Sequence, residues 1–165
     1  MPAFRVFDEM TMNLIAAILS PERIRVGLDL SDKARVFAQA GQIFAGCAGL
    51  DAQRVAESLA ARESLGSTAV GQCVALPHAR IKGLRQPLAA YMRLREPIDF
   101  DAPDGNPVEE LFVLLVPEQA TQAHLKLLAE VAQMFGDLYF HDHLRRQNSA
   151  ADVYQAFADW PTITA

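Results

Sequence analysis

Three residues have both the chemistry and the setting to handle an anionic group: His78, His124 and Arg62. His78 ends the run Val74-Ala75-Leu76-Pro77 and is followed by Ala79-Arg80. Pro77 has a fixed φ and presses Leu76 into extended geometry. The run therefore reads as a strand that stops at Pro77 and leaves His78 at its mouth, where a rigid sheet can aim it. An imidazole with an ordinary pKa of about 6.5 is largely neutral near pH 7. In that form it is a nucleophile able to carry a covalent intermediate. Taken alone, His78 reads as well as a turn histidine bonded to backbone.

His124 follows Thr121, a suitable N-cap, by three positions and so falls in the first turn of a helix. Free N–H groups and the positive end of the helix dipole gather there. Such a place attracts anions and disfavours a protonated ring. A neutral His124 can still donate one hydrogen bond to a phosphate oxygen or to another histidine. It also shares an apolar face with Leu127, Leu128 and Val131, so by itself it reads as a histidine at the edge of the core. Arg62 falls at helical spacing from Leu59 and Val55, which turns it to the buried side of its helix. Arginine is seldom buried without a partner. Its planar guanidinium suits a phosphate bidentately and stays charged at every working pH. A snorkelling side chain near the helix end, or a pair with Glu63 or Glu57, is the plainer account.

Weaker constellations carry less. His141-Asp142-His143 has two imidazoles, but positions i and i+2 of a helix face apart, so the segment reads as a solvated face. Asp99, Asp101 and Asp104 are out of register for a calcium loop and read as turn acids. There is no Walker loop and no dinucleotide fingerprint, so a phosphoryl group would have to come from a donor other than a bound nucleotide.

The elements that must position these groups follow from periodicity. Met12 to Leu19 is a short apolar stretch, and Arg23 to Leu28 alternates like an edge strand. Ser31 or Asp32 caps a helix running to about Cys47, and Asp51 caps a second that ends near Gly66. Ala69 to Leu76, Leu88 to Leu94 and Leu111 to Val116 are short apolar runs bounded by Gly or Pro, which favours strands. A turn-rich stretch from Pro97 to Pro107 separates the last two. Helical spacing returns after Pro117, with further helices expected over Leu138 to Arg146 and from Ser149 to Trp160. Helices around a block of strands imply an α/β or α+β class with helices packed over a mixed sheet.

The chain of 165 residues suits a single domain spanning 1–165. Met12 offers a second start, which makes 1–11 an extension with no role in the fold. A net charge of −5 argues against a nucleic-acid surface, since phosphate backbones select basic faces. Cys47 and Cys73 lack zinc or redox spacing and read as reduced thiols of a cytosolic protein. No apolar run approaches the ~20 residues of a membrane helix.

The same residues carry a family resemblance. Glu63, six residues, Val70-Gly71, two residues and then Val74-Ala75-Leu76-Pro77-His78-Ala79 resembles the active-site signature of the fructose/mannitol class of enzyme IIA of the bacterial phosphotransferase system. Arg62-Glu63, Leu65-Gly66-Ser67-Thr68, Pro97-Ile98-Asp99-Phe100-Asp101, Val108-Glu109-Glu110-Leu111-Phe112, Leu115-Val116-Pro117 and His124-Leu125 resemble the same family, which extends the likeness from about Leu14 to Phe157. The resemblance implies a mixed sheet with helices on both sides. It implies that His78 is the phosphorylated histidine, that His124 is a second histidine that assists it, and that Arg62 neutralises the phosphoryl group. Ser67 and Thr68 are expected to add hydroxyl donors. The donor implied is a histidine phosphocarrier protein, and no cofactor or metal is implied.

A short chain with Leu65-Gly66-Ser67-Thr68 ahead of the site, and without a fused permease, enzyme IIB or phosphocarrier domain, resembles the nitrogen-regulatory branch. That branch implies a cytoplasmic phosphotransferase whose phosphorylation state governs regulatory partner proteins. The alternative is a carrier that hands phosphate to an enzyme IIB of a sugar permease. Ala79-Arg80 stands where that branch commonly has Gly-Lys, which keeps a small residue and a positive charge.

Overall fold

Side-chain oxygens placed ahead of the apolar runs start most of the helices. Asn13 accepts from the Ala16 N–H, Asp32 from Arg35, Asp51 from Gln53 and Arg54, Asp137 from Phe140, and Ser149 from Asp152. The structure, a computed structural model, describes residues 13–120 and 122–161. In chain order the elements are α1 (Leu14–Ile18), a 3-10 turn (Pro21–Arg23), β1 (Ile24–Leu28), α2 (Lys33–Ala48), α3 (Ala52–Glu63), β2 (Ala69–Gly71), β3 (Val74–Ala75), β4 (His78–Ile81), β5 (Leu88–Ile98), β6 (Val108–Pro117), α4 (Gln122–Gly136), α5 (Leu138–Arg145) and α6 (Ala150–Ala158). The expected extension at 1–11 and the expected cap Thr121 lie outside the described residues.

The sheet is mixed, in the order β1-β5-β6-β3-β2, with β4 also paired to β6. β5 and β6 run antiparallel, while β1 on β5 and both β3 and β4 on β6 are parallel. Strand alternation splits the core in two. Met92, Leu94, Leu111, Val113 and Leu115 face α2 and α3. Tyr91, Phe112, Leu114 and Val116 face the other way, against α1, α4, α5 and α6. Helices thus pack on both sides of a mixed sheet, the α/β arrangement expected from the sequence. The second core is rich in edge-to-face aromatics, with Phe135 and Phe157 both packed on Phe112. Each such ring contributes about 1.5–3 kcal/mol by burial. On the first side, Gly41 lets α2 approach α3 so closely that a Cβ there would lie 2.3 Å from the Ala52 carbonyl oxygen.

The chain departs from the expected elements at several places. Pairing does not stop at Pro77: the chain resumes at once as β4, and the Pro77 carbonyl accepts from the Leu114 N–H at 2.9 Å. Proline removes one donor, which a strand paired on one side tolerates. The stretch Ala69 to Leu76 is a hairpin rather than one strand, turning at Gln72 and Cys73 with φ of 57° and 63°. β5 continues through Pro97 to Ile98, because that proline lies beyond the last residue paired with β1, Leu94. His141 is buried, not solvated; it shares the face of Phe140 and Leu144, and its Nε2 lies 2.5 Å from Glu110 Oε1. Asp142 and His143 are exposed as expected.

Candidate functional site

β4 sets the site by simple alternation. Ala79 and Ile81 enter the core beneath α2 and α3. His78 and Arg80 therefore belong to the opposite face of the strand, the side on which α4 packs. His78 Nδ1 lies 2.9 Å from the Leu76 carbonyl oxygen. A carbonyl only accepts, so Nδ1 carries the hydrogen and Nε2 holds the free lone pair.

His124 comes from the first turn of α4. Its ring meets that of His78 edge to face, with centroids 5.1 Å apart. His124 Nδ1 is buried and has no hydrogen-bond partner among the described residues. An unsatisfied buried polar atom costs about 1–3 kcal/mol, and such atoms in native folds often mark a place for a ligand or a reacting group. Burial lowers the pKa of His78 below its ordinary value; the Leu76 bond and Glu63 resist, and Arg62 adds to the lowering. Burial likewise lowers His124, reinforced by His78, Arg80 and Arg62 in that order.

Arg62 lies in the last turn of α3 and donates from Nη1 to the Gly66 carbonyl at 2.9 Å. It does not pair with Glu63. That carboxylate is buried and holds the chain after α3: it accepts from the Thr68 N–H, from Thr68 Oγ1 at 2.7 Å and from Lys33 Nζ at 2.9 Å. Lys33 also meets Asp101. Ser67 Oγ donates to the Phe100 carbonyl at 2.7 Å. The hydroxyl hydrogens of Ser67 and Thr68 are thus both directed to protein acceptors.

A cleft of about 480 Å³ is lined by Ser58, Arg62, Leu65, His78, Arg80 and His124. A second groove of about 330 Å³ passes Ser67, Thr68, Val70 and Leu128 and also touches Arg62 and His78. The structure therefore brings Arg62, His78 and His124 into one wall, and sets Ser67 and Thr68 beside it. The sequence showed the positive charge of Arg80 without a place in the site; that place follows from counting two residues on from His78 once β4 is recognised as a strand. Glu63, offered by the sequence as a partner for Arg62, instead pairs with Lys33, and a contact 30 residues apart in the chain leaves no local sequence signal. A neutral imidazole with a free lone pair, two guanidinium groups and an orphan ring nitrogen on one cleft are groups that could bind an anion and attack it.

Residues 17–160 match the family described as phosphoenolpyruvate-dependent sugar phosphotransferase system, EIIA 2. A nitrogen regulatory protein of Pseudomonas aeruginosa is 44% identical over 143 residues, covering 86% of this chain and 93% of that one. The crystal structure of nitrogen regulatory protein IIA-Ntr from Neisseria meningitidis superposes with a TM-score of 0.82 at 41% identity, over 88% of this chain and 99% of that one. Enzyme IIA of the mannitol system of Escherichia coli, solved in complex with phosphorylated enzyme IIB, shares the fold with a TM-score of 0.71 at 16% identity, over 84% of this chain and 96% of that one.

Proposed function

The chain belongs to the EIIA 2 family of the phosphoenolpyruvate-dependent sugar phosphotransferase system, and on that premise we propose that it accepts a phosphoryl group on His78 Nε2 from a histidine phosphocarrier protein and regulates partner proteins by its phosphorylation state. The observation that carries the reading is the bond from His78 Nδ1 to the Leu76 carbonyl, which leaves Nε2 as the atom with the lone pair.

The transfer needs no proton movement at His78. The Nε2 lone pair forms the new N–P bond, the donor's P–N bond breaks, and its electron pair stays on the donor imidazole. The His78 ring gains positive charge as the bond forms, and the Leu76 carbonyl oxygen meets that charge at Nδ1–H. Charge on the moving group spreads over its oxygens, so catalysis is mostly positioning and electrostatics. Arg62 and a neutral His124 supply these from the cleft wall, assisted by N–H groups at the start of α4. Ser67 and Thr68, the expected phosphate-binding hydroxyls, contribute by shaping the neighbouring groove; direct donation from them would require leaving Phe100 and Glu63.

The relatives named nitrogen regulatory proteins favour the regulatory fate. On a protein of net charge −5, a phosphoryl group adds further negative charge and strong acceptors that a partner can read. No described helix is long and apolar enough to cross a membrane. A cytoplasmic location follows from the proposed donor. The alternative, delivery to an enzyme IIB, shares the first step.

The test is transfer of labelled phosphate from phosphoenolpyruvate, through enzyme I and the phosphocarrier protein, to wild type and His78→Ala. Acid-labile label on wild type alone supports the reading. Full label on a histidine of His78→Ala overturns it. Passage of the label from His78 to an enzyme IIB of the same cell would replace the regulatory fate with the carrier fate.

A further inference from the structure

The cleft holds a second guanidinium, Arg80, to which the assigned trio gives no task. Arg80 lies two residues after His78 on β4, and both side chains belong to the same face of the strand. Both line the same cleft as Arg62 and His124. Arg80 Nη1 donates to the Glu118 carbonyl at 2.9 Å. That bond ties the strand bearing the nucleophile to the segment that leads into α4. It uses one nitrogen of a five-donor fork and leaves the rest of the group to meet a ligand.

Among the described residues, neither Arg62 nor Arg80 forms an ion pair, and of the cations without one these two line the cleft beside His78. In an acidic chain, two unpaired guanidinium groups on one cleft are positive charge awaiting an anion. The stoichiometry of donors points the same way. A transferring phosphoryl group spreads its charge over three oxygens. A planar guanidinium meets two oxygens bidentately, so Arg62 alone leaves the third to another donor. Arg80 also acts on His124, whose pKa it lowers more than Arg62 does.

We propose that Arg80 is a second phosphoryl-binding cation, which together with Arg62 holds the oxygens of the group transferred to His78. The proposal rests on His78 being the acceptor, and it assigns Arg80 to the phosphoryl group rather than to the surface of the partner.

The experiment follows labelled phosphoryl transfer by rapid mixing, with the phosphocarrier donor varied in concentration. It uses wild type, His78→Ala, Arg80→Met, Arg80→Gln and Arg80→Lys, each with its melting temperature measured. Arg80→Met and Arg80→Gln are expected to lower the maximal transfer rate about tenfold or more, with little change in the donor concentration at half saturation. Arg80→Lys should recover part of the rate, since it keeps the charge and loses the fork. Phosphorylation should also raise the melting temperature of wild type more than that of Arg80→Gln. An unchanged maximal rate, or a loss confined to half saturation, overturns the proposal and makes Arg80 a partner contact. If Arg80→Met is unstable, Arg80→Lys and Arg80→Gln decide by the same split. A wild type that takes no label removes the acceptor reading itself, a result distinct from equal labelling of wild type and the Arg80 variants.

Discussion

The imidazoles of His78 and His124 meet edge to face, with centroids 5.1 Å apart and planes at 64°. Protonating one would place a cation against the other and against the nearby guanidinium groups. Burial and these neighbours lower both pKa values from about 6.5. We therefore expect the rate of phosphoryl acceptance to hold steady as pH falls from about 8 to about 6.5, and to decline only below that. Nitrogen NMR of the two rings, followed against pH, checks this directly; a midpoint at or above the ordinary histidine value would contradict it.

The same shifts link stability to pH. Each group has a folded pKa below its unfolded one, so the unfolded chain binds more protons in the interval between them. Stability is unaffected above the unfolded value of about 6.5 and erodes as pH falls from there through the folded values. Replacing His124 by Gln should flatten that part of the stability profile, measured by urea unfolding at a series of pH values.

Arg62 spans the end of α3 and the cleft, and its one hydrogen bond among the described residues is to the Gly66 carbonyl. Loss of the side chain should therefore harm function more than folding. We expect Arg62→Ala to lower phosphoryl acceptance about 10²-fold, the scale of removing one aligned donor from a charge-stabilising site. The melting temperature should shift little. Arg62→Lys should fall between, because an ammonium keeps the charge without the planar fork. An Arg62→Ala variant that accepts phosphate at the wild-type rate would remove Arg62 from the mechanism.

Strand alternation and helix caps were legible in the sequence because each is a local signal. Asp32 and Asp51 cap the helices that their positions announced. The two-sided core follows from runs such as Leu111 to Val116, which are apolar at every position and so buried on both faces. What escaped was set by distant partners. Nothing near His141 in the chain reveals that Glu110 waits for it across the second core, with Tyr91 donating to the same carboxylate. The continuation past Pro77 depends on β6, which supplies the Leu114 N–H to the Pro77 carbonyl. The turn at Gln72-Cys73 lacks the glycine or asparagine that usually marks such a hairpin.

That turn offers its own test. Gln72 and Cys73 both have positive φ, at 57° and 63°, between the paired residues Gly71 and Val74. A two-residue loop with both centres left-handed favours Asn-Gly, and other L-residues there are strained by about 1–2 kcal/mol each. Replacing Gln72-Cys73 with Asn-Gly should stabilise the protein by roughly 1 kcal/mol, since asparagine and glycine enter this region more readily. Urea unfolding of the variant measures it. A loss of stability would mean that contacts of the two side chains outweigh the backbone gain.

Glu63 is a buried carboxylate that joins three elements. It accepts the Thr68 N–H and hydroxyl, which pins the segment between α3 and β2, and it meets Lys33 at the start of α2. Lys33 bridges in turn to Asp101, and its ammonium lies over the Phe100 ring at 4.8 Å. The segment pinned in this way contains Gly66, the acceptor for Arg62, so Glu63 fixes the platform from which the arginine reaches the cleft. Removing the carboxylate leaves two Thr68 donors without their acceptor, while Lys33 keeps Asp101. We expect Glu63→Ala to cost about 1–3 kcal/mol for each buried Thr68 donor left without an acceptor. Glu63→Gln should cost less, because its amide oxygen can still accept from Thr68. Phosphoryl acceptance should follow the order of these stabilities if Glu63 acts by holding the turn. A Glu63→Gln variant that folds as wild type yet accepts no phosphate would instead place its carboxylate in the transfer itself.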